Sequence, residues 1–141
     1  MSRMPGPGAQ DGLRILVVED NELNVRVARR WMRRLGHEMS VAMDGMAGVD
    51  AALDQQPDVV LMDISLPRMD GLEATRTLRA DARGRHLVIV GVSAHALVQD
   101  REAALAAGCD TYFTKPIDFR ALDDTVRSLV ADRRSEEDPP C

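Results

Sequence analysis

Aromatic side chains are scarce: one Trp, one Tyr and two Phe make up 3% of the 141 residues. A core must therefore come from the aliphatic part of the 45% that is hydrophobic, chiefly Val, Leu, Ile, Ala and Met. Cysteine is equally rare. Cys109 and Cys141 have neither metal-ligand spacing nor a paired framework, which points to a reduced, cytoplasmic protein. No run of 18 apolar residues occurs, and no apolar segment follows the N-terminus, so neither a membrane span nor a signal peptide is expected. Positive charge is in deficit. With 18 Lys and Arg against 23 Asp and Glu the net charge is -5, which argues against a nucleic-acid surface as the main function.

A chain of this length reads as one domain that buries roughly 68–70% of its unfolded surface. Residues 1–12, with Pro5, Gly6, Pro7, Gly8 and Gly12, read as a flexible lead, 13–131 as the domain, and 132–141 as a flexible charged tail. Within the domain, short apolar runs alternate with amphipathic segments. Strands are predicted at Leu13–Val18, Glu38–Met43, Val59–Met62, Leu87–Val92 and Thr111–Phe113. Helices are predicted from Asp20 or Asn21 as cap to Leu35, over Met46–Leu53, Gly71–Ala82 and Leu97–Ala107, and from Asp118 as cap onward. Five strands and five helices in strict alternation, joined by short connections, make an α/β fold with a parallel sheet covered on both faces.

The Asp58–Gly71 stretch anchors this pattern, because its buried strand runs straight into Asp63. In open α/β sheets the C-terminal strand ends are where ligands bind. If the strands are parallel, Glu19, Asp20, Asp63, Ser93 and Lys115 converge there. Carboxylates crowded together need compensation, and an oxygen-only set suits magnesium. A metal, an ammonium and a hydroxyl around a carboxylate are the parts needed to stabilise a phosphoryl group on that carboxylate. Asp63, on the central strand, is the expected acceptor. On the first helix Arg26, Arg29, Arg30, Arg33 and Arg34 form a basic stripe opposite Ala28, Met32 and Leu35. The stripe reads either as a solvated face or as a docking surface for an acidic helix bundle. Trp31 is expected to border the core beside it.

The motifs Val-Val-Glu-Asp-Asn (17–21), Leu-Met-Asp-Ile-Ser-Leu-Pro-Arg-Met-Asp-Gly (61–71), Val-Ser-Ala-His-Ala (92–96) and Ala-Gly-Cys-Asp-Thr-Tyr-Phe-Thr-Lys-Pro (107–116) together resemble the receiver domains of two-component response regulators. The resemblance covers about Leu13 to Val130. It implies a flavodoxin-like, doubly wound sheet of strand order 2-1-3-4-5. It implies Asp63 as phosphoacceptor, with Asp20, Asp63 and the backbone carbonyl of Ser65 as ligands of Mg2+ or Mn2+, and Glu19 acting through water. It implies Ser93, the Ala94 backbone N–H, Tyr112 and Lys115 as phosphoryl-contact and switch groups, a cis bond before Pro116, and His95 at a variable position near the phosphoryl group. The implied donor is a phosphohistidine on a histidine kinase or histidine phosphotransfer domain. The implied output is a protein partner on the face of the fourth helix, fifth strand and fifth helix, in a stand-alone regulator or a hybrid-kinase receiver. The other readings are a degenerate receiver that binds partners without phosphorylation and, outside the family, a flavodoxin or an aspartyl-phosphate phosphatase. Glu19-Asp20 in place of a Ser/Thr/Gly-rich phosphate loop argues against the flavodoxin, and Ser65 in place of a second acid against the phosphatase.

Overall fold

The computed structural model describes residues 12–65, 70–94 and 97–137. The expectations for the lead, the Leu66–Met69 loop, His95 and Cys141 lie outside the described residues. In chain order the elements are β1 (Arg14–Val18), α1 (Glu22–Leu35), β2 (Glu38–Ala42), α2 (Gly45–Gln55), β3 (Val59–Asp63), α3 (Gly71–Ala80), β4 (Val88–Ser93), α4 (Val98–Ala107), β5 (Thr111–Thr114) and α5 (Phe119–Glu137). All strand pairs are parallel, in the order β2-β1-β3-β4-β5.

Alternate residues of the inner strands feed two cores, which is why these strands read as continuous apolar runs. Ile15, Val17, Val59, Leu61, Val88 and Val90 face α1 and α5, where Ala28, Met32, Leu122 and Val126 meet them. Leu16, Val18, Val60, Met62 and Ile89 face the opposite layer, where Val49, Ala52, Ala74, Leu78 and Ala104 close the core. Of the two candidate caps for α1, Asn21 is the one used: its side chain accepts from the Asn24 N–H. Gly36 ends the helix at φ 87°, a left-handed conformation glycine adopts at little cost.

Most expected boundaries shift by one or two residues, and two of the differences have a visible cause. The third helix stops at Ala80, because Asp81 turns extended and its carboxylate accepts from the Arg83 N–H, starting a single 3-10 turn at Ala82–Gly84. The charged tail expected from Asp132 is helical through Glu137. Its register is held from outside the helix: Arg133 donates to the carbonyls of His86 and Leu87, and Arg134 to Asp58.

Candidate functional site

Strand register brings the site together. Val18 lies opposite Met62, Asp63 opposite Val92, and Ser93 opposite Thr114, so Glu19, Asp63, Ser93 and Lys115 each fall within a residue of the same sheet edge. The ladder runs on past the strand ends. The Glu19 N–H donates to the Ala42 carbonyl at 3.0 Å, the Ile64 N–H to the Val92 carbonyl at 3.0 Å, and the Lys115 N–H to the Ser93 carbonyl at 2.8 Å. Backbone bonding therefore fixes where these side chains start.

Asp63 is 6% exposed, and both its oxygens are engaged. Oδ1 accepts from the Ser65 N–H at 2.9 Å and Oδ2 from the Lys115 ammonium at 3.0 Å. The ammonium also donates to Glu19 Oε1 at 2.8 Å, while Glu19 Oε2 accepts from the Asn21 N–H at 3.1 Å. Asp20 is exposed and leaves the capping of α1 to Asn21. Burial pushes the Glu19 carboxyl above its ordinary range; the Lys115 and Asn21 hydrogen bonds oppose this, and the nearby Asp63 charge adds to it. Burial would pull the Lys115 ammonium down, but hydrogen bonds to Glu19 and Asp63 outweigh it and hold the lysine above its usual value.

Oxygen atoms of Glu19, Asp20 and Asp63 lie within 4.8 Å of one another. Three carboxylates against one ammonium leave the edge negative, and their all-oxygen donor set fits a hard divalent cation such as Mg2+. Ser93 is 1% exposed and Tyr112 8%, the tyrosine within the core that faces α4. The Lys115–Pro116 bond is cis.

Two contributors were not read from the sequence. Gly71, the first residue of α3, lies so close to the end of β3 that an added Cβ would stand 2.3 Å from the Asp63 carbonyl oxygen. The Asp70-Gly71 pair was the available signal, since a glycine after a capping acid marks a close backbone approach. Arg120 is the other. Trp31 stacks on Phe119 with centroids 5.7 Å apart, and the guanidinium groups of Arg34 and Arg120 lie 5.6 and 5.5 Å from its ring centre. All five α1 arginines are exposed, and among the described residues none of them forms an ion pair. Beside them a cavity of about 220 Å3 runs from Asp63 and Lys115 to Val27, Trp31 and Phe119.

A parallel sheet whose active edge joins a buried carboxylate to a lysine and two further acids defines a class of α/β domain built to carry a phosphoryl group on an aspartate. The model of the response regulator receiver domain family matches residues 15–127, and the chain belongs to that family. It is a receiver domain of two-component signalling. Among relatives, the polar-differentiation response regulator DivK of Brucella anthropi is 36% identical over 118 residues, covering 84% of this chain and 96% of that protein. Among solved structures, the receiver domain of a sensor histidine kinase from Pseudomonas aeruginosa PAO1, with magnesium coordinated in its active-site cleft, superposes with a TM-score of 0.79. It is 38% identical and covers 85% of this chain and 98% of its own. The receiver domain of Ssk1 from Saccharomyces cerevisiae, solved with the histidine phosphotransfer protein Ypd1, gives 0.78 at 25% identity, covering 85% and 90%. No helix among the described residues is long and apolar enough to cross a membrane.

Proposed function

We propose that Asp63 accepts a phosphoryl group from a phosphohistidine and that the chain relays it, in the cytoplasm, as a phosphorelay switch. The observation that carries this is the setting of the Asp63 carboxylate: its Oδ1 is fixed by the Ser65 N–H and its Oδ2 faces the Lys115 ammonium, beside Glu19 and Asp20. A carboxylate oxygen of Asp63 attacks phosphorus, the P–N bond to the donor imidazole breaks, and the imidazole leaves with its electron pair. Asp20, Asp63 and the Ser65 carbonyl would hold Mg2+ or Mn2+, with Glu19 acting through water. Such a cation supplies charge stabilisation to the transferring oxygens. Lys115 supplies a second positive charge, and the Ser93 hydroxyl and Ala94 N–H donate to the phosphoryl oxygens. The domain thus catalyses its own phosphorylation and, with water as the attacking group, its slow hydrolysis.

Switching runs through Ser93 and the core ring of Tyr112 to the face formed by α4, β5 and α5. Leu97, Val98 and Leu105 are exposed there at 55%, 70% and 38%, which supports that face as the meeting point for a downstream protein. Charge-assisted hydrogen bonds to Ser93 and Lys115 contribute roughly 1.5–3 kcal/mol each. That supplies much of the about 5.5 kcal/mol a complete two-state switch requires. The input partner is a histidine kinase or a histidine phosphotransfer domain, a reading supported by the likeness to the Ssk1 receiver, which was solved with such a protein.

The arginine stripe meets the acidic surface of that donor. Phosphotransfer from a phosphorylated histidine phosphotransfer domain should reach the wild type and not Asp63→Asn. Reversing Arg30 and Arg34 to glutamate should slow transfer by about tenfold, the low end of electrostatic steering, and flatten its dependence on salt. Transfer to Asp63→Asn at the wild-type rate would refute the acceptor assignment. An unchanged rate after charge reversal would return the stripe to a solvated face.

A further inference from the structure

A cavity of about 160 Å3 lies at the end of the sheet away from Asp63, with Asp58, His86, Val88, Val130, Arg133 and Arg134 among its lining. Val88 opens β4 and Ser93 closes it, so the length of that strand, about 16 Å, separates the cavity from the acceptor edge. Positive charge accumulates around it. Arg14, Arg79, Arg133 and Arg134 converge on this end of the sheet and share two carboxylates, Asp58 and Asp110. Their other hydrogen bonds go to backbone: Arg14 to the carbonyls of Gln55 and Gln56, Arg79 to those of Gly84, Arg85, Leu87 and Gly108, and Arg133 to those of His86 and Leu87. A carbonyl satisfies the donors of a guanidinium and leaves its charge. These six side chains therefore sum to +2, in a chain whose net charge is -5. Arg134 is the least committed of them. Its side chain is 62% exposed and makes, among the described residues, one hydrogen bond, 3.2 Å to Asp58 Oδ1. The exposed His86 side chain makes none among them.

We propose that this cavity is a binding site for a small organic dianion, a dicarboxylate or a phosphate monoester, held between Arg133, Arg134 and His86. A planar guanidinium presents paired N–H donors that fit a carboxylate and a phosphate alike, so the dianion is the chemistry the two ligands share. The carboxylate in the wall does not bar it. Asp58 is already bonded on both oxygens, Oδ2 by the Arg14 N–H at 2.9 Å and Oδ1 by Arg134. Val88 and Val130 give the site an apolar side for a short carbon body. Occupation has a mechanical consequence. Arg133 already reaches from α5 to the carbonyls directly before β4, and a dianion bridging Arg134 and His86 draws the last turns of α5 further onto the start of that strand. The site does not compete with phosphorylation, because the acceptor edge lies at the other end of the sheet and its three carboxylates repel a dianion that brings no metal.

Backbone NMR of the 15N-labelled chain tests this, by titration with succinate and, separately, with glycerol phosphate in EDTA at constant ionic strength. Saturable shifts should appear at Asp58, from His86 to Val88 and from Val130 to Arg134 with at least one of the two. The probe that saturates at the lower concentration identifies the carboxylate or the phosphate source. Arg134→Gln should weaken that binding by about tenfold, the scale of one charge-assisted hydrogen bond. His86→Ala supplies the same comparison from the other side of the cavity. Both side chains are exposed, so the variants keep the fold, and unchanged signals away from the cavity verify it. Arg30→Glu with Arg34→Glu, on the α1 stripe, should bind as the wild type does. No saturable shift with either dianion, wild-type affinity in both Arg134→Gln and His86→Ala, or shifts confined to α1 would overturn the proposal.

Discussion

Gly71→Ala is expected to lower both the stability of the domain and the rate at which Asp63 is phosphorylated. The new Cβ would stand 2.3 Å from the Asp63 carbonyl oxygen, 2.5 Å from the Ile64 Cα and 2.8 Å from the Asp63 carbonyl carbon. These are backbone atoms at the end of β3, so no side-chain rotation relieves the contact. Either α3 moves outward, away from the core that Ala74, Thr75 and Leu78 fill at 0% exposure, or the end of β3 shifts. Forcing one extra carbon into such packing costs about 1–3 kcal/mol. A displaced β3 end also carries the carboxylate away from Lys115, and a misplacement of about 1 Å can cost about 100-fold in rate. Urea denaturation and phosphorylation kinetics, run side by side, check both parts. Wild-type values in both would mean that α3 does not hold the acceptor in place.

The second large effect lies at the opposite end of the sheet. Arg79, on α3, donates to the carbonyls of Gly108, Gly84, Arg85 and Leu87 and to the Asp110 carboxylate, at distances of 2.7 to 3.0 Å. Asp110 in turn accepts from the Ile89 N–H at 2.9 Å and pairs with Arg133 of α5. One planar guanidinium thereby joins the end of α3, the approach to β4 and the turn before β5. Arg79→Ala leaves several carbonyls short of a partner and should cost about 3 kcal/mol, the lower end of the range for breaking a buried pair, because Arg133 still holds Asp110. Arg79→Lys recovers little, since an ammonium cannot present the same fork. The urea midpoint should fall without a change in slope. A midpoint within experimental error of wild type would mean that Arg133 carries the cluster alone.

These two sites also mark what the sequence could and could not reveal. The strands were legible because each inner one is buried on both faces and therefore reads as an uninterrupted aliphatic run. The acids were legible because two of those runs, β1 and β3, end on them. The ends of α1 were legible from Asn21 and Gly36, whose side-chain chemistry and backbone freedom are local properties. Contacts between distant residues left no such trace. Lys115 and Glu19 are 96 positions apart, and nothing in either segment announces that the lysine bonds both carboxylates. The same holds for the last turns of α5. Asp132 to Glu137 is so polar that it reads as a tail, yet Arg133 and Arg134 tie it to residues 47 and 76 positions away. Local composition described the segment correctly and missed what holds it.

The central claim, that Asp63 is the phosphoacceptor, is tested most directly by intact mass after incubation with acetyl phosphate and Mg2+. The account predicts that the wild type gains one labile phosphoryl group, mapped to the peptide containing Asp63, and that Asp63→Asn gains none. A wild type that stays unmodified at saturating Mg2+, or an Asp63→Asn protein modified to the same extent, would contradict it.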